Sequence, residues 1–264
     1  MEEQKSIKEL LSLKGKTVLI TGCTRGIGEA ISYRLAEAGA GLKLVDIDKD
    51  GLEQLQKNLG KVTFVEIHRV DLSIKDEIDI LWENIQGSEP DILINNAGIY
   101  PFINFQNLDD KSLAKIMDIN LNSVLWMCQQ MINRRGDKGG VIVNISTIEA
   151  ILPFTSGLIP YGLSKAGVIA LSRSLAKEYG KSNFRINTIL PGGINTPGTR
   201  NITGSLEKMD INPLQLGKDF VRRLPLGRYG TPDEVARVVL FLASELSSYV
   251  HGALITVDGG FLSS

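Results

Sequence analysis

The sequence predicts a single-domain α/β fold built on a doubly wound, parallel sheet of seven strands. Short β-branched segments alternate with longer helical patterns along the 264 residues, as expected where right-handed helical crossovers join parallel strands. The first strand candidate contains the run TVLI at residues 17–20, and a strand without polar alternation is typical of a sheet covered on both faces. A chain of this length and average composition can bury one large core without disulfides or metals. These observations favour a Rossmann-like architecture.

The predicted strands and helices alternate along most of the chain. In the first long helix, Ile27, Ile31, Leu35 and Ala38 recur at spacings of three and four, which places them on one apolar face. Strands are predicted at 16–21, 42–46, 62–67, 92–95, 141–146, 185–190 and 254–257. Helices are predicted at 27–38, 49–58, 73–86, 109–134, 160–179 and 232–246.

Two segments lie outside this alternation. Residues 1–12 are predicted to form a mobile or weakly helical extension that precedes one catalytic domain over 13–264. The segment 191–226 is rich in Gly, Pro, Asn and Thr, with one weak helical pattern at 213–223. Because it follows the sixth strand, we expect this segment to lie over the carboxyl end of the sheet, where ligands bind in open α/β folds, and to cover the substrate.

Charge and composition exclude several classes of protein. Lys and Arg number 29 and Asp and Glu number 30, a balance that argues against a basic nucleic-acid binder. Cys23 and Cys128 are too few for a disulfide framework or a zinc site. His68 and His251 are far apart in the sequence, so we expect neither a metal site nor a Ser-His-Asp triad. No apolar run approaches the roughly 18 residues of a membrane span, and no apolar signal core opens the chain. A cytoplasmic protein is expected.

A glycine-rich turn follows the first predicted strand and opens the first long helix. Gly22 permits a tight turn, Gly26 lets the backbone approach a pyrophosphate, and Gly28 lets the helix pack close to the strand. The spacing G-x-x-x-G-x-G differs from the general dinucleotide motif G-x-G-x-x-G, and a plain tight turn is the structural alternative. The residues predicted to hold the cofactor phosphates are Gly22, Thr24, Arg25, Gly26, Ile27 and Gly28.

Asp46 ends the second predicted strand, 18 residues after Gly28. A carboxylate there can accept both ribose hydroxyls of NAD and would repel the 2′-phosphate of NADP. Arg25 favours NADP instead, and an ordinary turn aspartate is the structural alternative, but we expect NAD. Asp71 and Leu72 follow the third strand, where Asp71 either binds the adenine amino group or caps the helix that starts near residue 73.

Tyr161 and Lys165 lie four positions apart at the start of a predicted helix, so both face the same way. A lysine ammonium near a phenol favours the phenolate and lowers the tyrosine pKa. This effect would make Tyr161 an acid/base near neutral pH. An ordinary surface pair is the structural alternative, because one Tyr-x-x-x-Lys is weak evidence by itself.

Several further motifs follow the predicted strands in a fixed order. The run NNAG at 95–98 ends the fourth strand, Ser146 and Thr147 end the fifth, and PGGINT at 191–196 follows the sixth. Asn120 lies within a predicted helix, and VDGG closes the chain at 257–260. Together with the glycine turn and the Tyr161–Lys165 pair, this order resembles the short, single-domain type of the short-chain dehydrogenase/reductase family over residues 13–262.

The resemblance implies a role for each matching residue. Tyr161 would exchange the hydroxyl proton of the substrate, Lys165 would lower its pKa and hold the nicotinamide ribose, and Asn120 would position a water molecule. Hydride would then pass between the substrate carbon and the nicotinamide. Further positions implied to contact the cofactor are Asn96, Ala97, Gly98, Pro191, Gly192, Ile194 and Thr196.

The chain departs from the family pattern at the catalytic hydroxyl. The family usually has serine thirteen positions before the tyrosine, whereas Thr147 lies fourteen before Tyr161 and Ser146 precedes it. Either hydroxyl can polarise a substrate oxygen. We expect Thr147 to do so and retain Ser146 as the alternative.

The sequence says less about the substrate. Glu149 suits a polyhydroxylated ligand, and residues 149–154 resemble loops in sugar dehydrogenases of the family, whereas Tyr100 and Phe154 suit an apolar or ring substrate. The main prediction is an NAD-dependent dehydrogenase of a secondary alcohol, sugar or polyol. Alternatives are an NADPH-dependent 3-oxoacyl-acyl-carrier-protein reductase and a non-catalytic NAD-binding sensor or scaffold. The family resemblance also implies a homotetramer.

Overall fold

The structure is a computed structural model that describes residues 4–200 and 211–264. Its seven strands form one sheet in the order β3-β2-β1-β4-β5-β6-β7, and every neighbouring pair is parallel. The predicted single-domain α/β architecture is therefore confirmed. The strands are β1 (Thr17–Thr21), β2 (Gly41–Asp46), β3 (Val65–Arg69), β4 (Ile92–Asn95), β5 (Gly140–Ile145), β6 (Phe184–Pro191) and β7 (Leu254–Val257).

Helices cover both faces of the sheet. On one face, α2, α3 and α10 pack on the apolar strand residues, and on the other face α4, α6 and α7 do so. This two-sided burial explains why the strand sequences lack polar alternation. The α-helices of the described residues are α1 (Ile7–Leu11), α2 (Gly26–Glu37), α3 (Lys49–Leu59), α4 (Lys75–Asn84), α5 (Asp110–Met117), α6 (Ser123–Arg135), α7 (Ile159–Tyr179), α8 (Pro197–Arg200), α9 (Pro213–Arg223) and α10 (Pro232–Ala243).

The strand order reverses its direction between β1 and β4. Beyond this reversal point the loops after β1 and β4 diverge to opposite faces and leave a crevice at the carboxyl ends of the strands. The glycine turn, the NNAG run and the segment that follows β6 all meet at this end of the sheet. The observed strand order therefore leaves a crevice at the place where the sequence predicts the site.

Several element boundaries differ from the prediction. The helix predicted at 109–134 is interrupted by a π-helical turn over Asp118–Asn122, so it forms α5 and α6. β3 starts three residues late because residues 61–64 form a turn, with Val62 and Phe64 exposed to solvent. The helix predicted at 73–86 starts at Lys75, because the Asp71 carboxylate first closes a turn on the Ser73 N–H.

The structure describes parts of the two segments outside the alternation. Within the N-terminal extension, α1 forms with a capping box between Ser6 and Glu9, which is a local signal for helix initiation. In the predicted substrate segment, α9 occupies the expected positions, whereas residues 201–210 lie outside the described residues. Across the described ranges, no helix combines the length and hydropathy of a membrane span, and no group of three potential metal ligands is present.

Candidate active site

The glycine turn after β1 has the conformation that a phosphate-binding turn requires. Gly22 has a φ of +63°, a backbone conformation that only glycine adopts without strain. A β-carbon at Gly28 would lie 2.0 Å from the Gly22 carbonyl oxygen, so any side chain there would push α2 away from the turn. Because both positions exclude side chains, the backbone stays open towards the cavity.

The first turn of α2 points into that cavity. α2 begins at Gly26, and its N-cap residue Arg25 makes no side-chain hydrogen bond to the helix. The N-terminal amides of α2 therefore lack a side-chain acceptor, and the helix dipole adds partial positive charge. Gly26 and Ile27 line the cavity at this point. Open backbone and unshared amides fit the pyrophosphate of a dinucleotide.

Asp46 is held rigidly at the end of β2. Its Oδ2 accepts hydrogen bonds from the Thr24 backbone N–H at 3.0 Å and from the Thr24 hydroxyl at 2.9 Å. Its Oδ1 accepts from the Asp48 N–H at 3.1 Å. The carboxylate is largely buried and lines the same cavity. These bonds fix a negative charge where the ribose of the adenosine half would lie.

Arg25 and Asp71, which line the same cavity as Asp46, have different partners. The Arg25 guanidinium lies 3.1 Å from the Asp48 carboxylate and is mostly exposed. The Asp71 Oδ1 accepts from the Ser73 N–H and hydroxyl, and these bonds hold the pKa of Asp71 below its usual range. Asp71 does not cap α4, which begins at Lys75. With Leu72, it lines the outer wall of the cavity.

Tyr161 lies in the first turn of α7, where Pro160 is tolerated because its missing N–H has no helical partner. The Thr147 side chain next to the Tyr161 phenol favours the phenolate, but burial dominates and raises the pKa of Tyr161 to about 12. The sequence predicts a lowered pKa through Lys165. That prediction is wrong for this structure, because desolvation of the phenolate outweighs the favourable contacts.

Lys165 lies one turn further along α7 and is buried. Its Nζ donates to the Ile145 carbonyl oxygen at 2.9 Å, and burial lowers its pKa to about 8. A β-carbon at Gly98 would lie 3.3 Å from both the Lys165 Nζ and the Asn120 Oδ1. The backbone after β4 thus meets the lysine amine and the asparagine amide at one point.

Asn120 lies in the π-helical turn between α5 and α6. Its Oδ1 accepts from the Ile99 N–H and its Nδ2 donates to the Ile99 carbonyl, both at 2.8 Å. Its Nδ2 also donates to the Ser164 hydroxyl at 3.1 Å. These bonds tie the π turn to the loop after β4 and to α7. Single π turns inside α-helices are frequent at functional sites.

Ser146 and Thr147 have different partners. The Ser146 hydroxyl donates to the Lys165 backbone carbonyl at 2.9 Å, so its proton is already used. The Thr147 Oγ1 accepts from the Glu149 N–H at 3.2 Å, which leaves its own proton free, and Thr147 lines the same cavity as the Tyr161 phenol. Thr147 is therefore the hydroxyl directed towards the tyrosine.

The structure brings most of the predicted residues into two adjoining cavities. Thr24 and Gly28 do not line them, since Thr24 holds Asp46 and Gly28 packs against Gly22. Asn120 lies behind the cavity wall. The adenosine side is lined by Gly22, Arg25, Gly26, Ile27, Asp46, Asp71, Leu72, Asn96, Ala97 and Gly98. The catalytic side is lined by Ser146, Thr147, Tyr161, Lys165, Pro191, Gly192, Ile194 and Thr196.

A third cavity, which we call the substrate cavity, opens beside Thr147 and Tyr161. It contains the three predicted substrate residues, Glu149, Tyr100 and Phe154. The Tyr100 ring centre lies 5.9 Å from that of Tyr161. The Glu149 carboxylate accepts from the Phe154 N–H at 3.1 Å, and burial raises the pKa of Glu149.

Two aromatic residues of the substrate cavity, Phe220 and Tyr229, were not predicted from the sequence. Phe220 of α9 and Tyr229 stack with ring centres 5.4 Å apart, and Phe220 lies 4.8 Å from Phe154 in an edge-to-face contact. The pattern of Leu216 and Phe220 at a spacing of four identifies the apolar face of α9. The position of Tyr229 has no comparable sequence signal, because it lies in an irregular segment.

Known proteins resemble the chain over nearly its whole length. A family model described as enoyl-(acyl carrier protein) reductase matches residues 22–262. A 3-oxoacyl-acyl-carrier-protein reductase of Thermotoga maritima is 35% identical and covers 96% of this chain and 100% of its own. The 2-dehydro-3-deoxy-D-gluconate 5-dehydrogenase of Bacillus subtilis is 34% identical and covers 97% of this chain and 98% of its own.

Solved structures support the same family assignment as these relatives. A putative NAD(P)-dependent gluconate 5-dehydrogenase from Beutenbergia cavernae, with bound NADP at low occupancy, superposes with a TM-score of 0.87 and 28% identity. The superposition covers 97% of this chain and 100% of that protein. The chain therefore belongs to the short-chain dehydrogenase/reductase family, as an NAD(P)-dependent oxidoreductase that acts on CH–OH groups.

Proposed function

We propose that this protein interconverts a secondary alcohol and a ketone with NAD as the hydride acceptor or donor, and that the alcohol belongs to a sugar or polyol. The observation that carries the proposal is that the Thr147 hydroxyl, the Tyr161 phenol and the buried Lys165 amine line one cavity. Tyr161 as the acid, Thr147 as the hydrogen-bond donor and Lys165 as the cation then surround the reacting oxygen of the substrate. The nicotinamide ring supplies the hydride chemistry when bound.

In the proposed mechanism, Tyr161 exchanges the proton of the substrate oxygen. With a pKa of about 12, the phenol is neutral at pH 7 and acts directly as the acid for ketone reduction. In the oxidation direction it must lose its proton, and the Lys165 ammonium stabilises the phenolate. A Lys165 pKa of about 8 leaves most molecules charged at pH 7.

Two further residues support this proton transfer. Thr147 donates a hydrogen bond to the substrate oxygen and so polarises the carbonyl. Asn120 is proposed as the positioning residue that connects Lys165 to water, because its amide and the Lys165 amine meet beside Gly98. The residues Asn96, Gly98, Ile194 and Thr196 are proposed to orient the nicotinamide.

Asp46 supports NAD over NADP. Three hydrogen bonds hold its carboxylate in place, so it cannot easily turn away from a 2′-phosphate. Arg25 offers the only nearby compensation among the described cavity residues, and its guanidinium is shared with Asp48. Burial of a phosphate against a fixed carboxylate is unfavourable. Two structural relatives contain bound NADP, so the NADP arm of the assay below tests the opposite preference.

An NADPH-dependent 3-oxoacyl-acyl-carrier-protein reductase is the second candidate. It is supported by the name of the Thermotoga relative and by the largely apolar lining of the substrate cavity. Asp46 speaks against it. A non-catalytic NAD-binding sensor or scaffold is the third candidate, and the complete Tyr161–Lys165–Asn120 set speaks against that.

The deciding experiment follows NAD and NADP reduction with aldoses, polyols, cyclic alcohols and 3-hydroxyacyl thioesters. We expect turnover of a sugar or polyol with NAD, and Tyr161→Phe to abolish it while NAD binding is retained. Turnover of acyl thioesters alone, with NADP, would replace the first candidate by the second. NAD binding without any turnover would favour the sensor.

The expected assembly and location remain predictions. Light scattering should show a homotetramer, and a monomer at micromolar concentration would contradict this. A small-molecule substrate is expected, with no nucleic-acid or membrane partner. The cytoplasmic location is to be tested by fractionation of cells that produce the protein.

A further inference from the structure

The substrate cavity has an unusual charge distribution. Its wall is largely aromatic and aliphatic, with Phe102, Phe154, Phe220 and Tyr229 around an interior of about 460 Å³. Glu149 is the only acidic residue among the described lining residues, and no Lys, Arg or His lines this cavity in the described part of the chain. A ligand that extends from Tyr161 and Thr147 into this cavity therefore meets one negative charge there and no described positive one, since Lys165 lines the adjoining catalytic cavity.

The carboxylate of Glu149 is held in place by backbone groups alone. The Phe154 N–H lies 3.3 Å from Oε1 and 3.1 Å from Oε2, and the Thr155 backbone also donates to it. Within the described residues, no basic side chain lies within ion-pair distance of this carboxylate. Within the described part of the chain, the carboxylate is thus oriented by neutral donors and pairs with no cation.

A fixed, uncancelled carboxylate in a partly desolvated cavity discriminates strongly by charge. It repels a ligand carboxylate or phosphate, and it accepts hydrogen bonds from hydroxyl or ammonium groups. The faces of the surrounding aromatic rings also attract cations and exclude anions. Both effects act in the same direction, so the preference does not depend on one of them alone.

We propose that Glu149 selects substrates that present a hydroxyl or ammonium group to it, and that it rejects substrates that carry a carboxylate or phosphate there. This inference rests on the proposed function, because it places the reacting carbon at Tyr161. It separates this chain from relatives whose names contain gluconate, which carries a carboxylate. A neutral or cationic ring or polyol is the expected substrate class.

Binding of three matched probes tests the inference. Cyclohexylmethanol, cyclohexylmethylammonium and cyclohexanecarboxylate share one ring and differ in the charge of a single substituent. Their dissociation constants are measured by ligand-detected NMR with the NAD-saturated protein at pH 7.5. We expect the anion to bind at least tenfold more weakly than the alcohol, and the ammonium ion to bind at least as tightly as the alcohol.

Two variants assign the effect to its residue. Glu149→Gln keeps an oxygen that accepts from Phe154 but removes the charge, so the three dissociation constants should converge to within about threefold. Glu178→Gln makes the same change on an exposed part of α7, 17 residues and roughly 25 Å along the helix from Tyr161. This control should reproduce the wild-type order.

The outcomes separate this inference from the proposed function. Equal or tighter binding of the anion by the wild-type protein would overturn the inference, and so would an unchanged order in a folded Glu149→Gln variant. If that variant fails to fold, the wild-type order decides. If the probes bind in the expected order but no alcohol is turned over, the charge selection by Glu149 holds and the proposed reaction is contradicted. If an alcohol is turned over but the probes bind in another order, the proposed reaction holds and the charge selection is contradicted.

Discussion

Replacement of Thr147 by alanine should remove the hydrogen bond that polarises the substrate oxygen. The Thr147 Oγ1 accepts the Glu149 N–H at 3.2 Å, which leaves its proton for the Tyr161 phenol or the substrate. A hydrogen bond to a group that becomes charged is worth about 1.5–3 kcal/mol. At 1.4 kcal/mol per factor of ten, this predicts a fall in kcat of about 10- to 150-fold.

The assay is steady-state NAD reduction with the best alcohol of the substrate panel. Thr147→Ser keeps the hydroxyl and should stay within about threefold of the wild-type kcat. Ser146→Ala loses a neutral bond to the Lys165 carbonyl, so it should lower the unfolding free energy by about 1 kcal/mol and leave kcat within a few-fold. A larger kcat loss for Ser146→Ala than for Thr147→Ala would refute the assignment.

Three other changes test different parts of the site. Asp46→Asn should improve the affinity for NADP relative to NAD about tenfold or more, measured by fluorescence titration, because it removes a fixed charge beside the ribose. Gly28→Ala should lower the unfolding free energy by about 1–3 kcal/mol, because its β-carbon would lie 2.0 Å from the Gly22 carbonyl oxygen. Thermal melts measure the change. Gly162→Ala is the control, since its β-carbon would lie 3.6 Å from its nearest neighbour. The buried Lys165 amine, with a pKa lowered from 10.5 to about 8, binds fewer protons in the folded state. The free energy of unfolding of the wild type should therefore rise by about 3 kcal/mol relative to that of Lys165→Met between pH 8 and 10.5. Denaturant titrations across this range measure it. If the unfolding free energies of the two proteins changed in parallel with pH, the buried amine would be contradicted.

Prediction from the sequence was most successful where the signal is local. The glycine turn depends on backbone conformations within seven residues, and the Tyr161–Lys165 spacing depends on one helical turn. The sequence also shows that Thr147 lies fourteen positions before Tyr161, one more than in the family pattern. Each of these features needs only neighbouring residues, so each could be identified before the fold was known.

Boundaries and interruptions were predicted less well. The π turn at Asp118–Asn122 has no local sequence signal, since it is held by bonds from Asn120 to Ile99 and Ser164. The late start of β3 follows from the turn at 61–64, in which the Thr63 hydroxyl donates to the Ala40 carbonyl. Such features arise from contacts between residues that are distant in sequence.

The sequence by itself determined the order of strands and helices, the parallel sheet and the set of residues at its carboxyl edge, because periodicity and turn chemistry are short-range properties. Only the tertiary structure decided which hydroxyl faces Tyr161, that burial raises the tyrosine pKa, and that Phe220 joins Glu149 around the substrate cavity. The physical reason is that desolvation and hydrogen-bond competition depend on the atoms that several separate elements bring around one group.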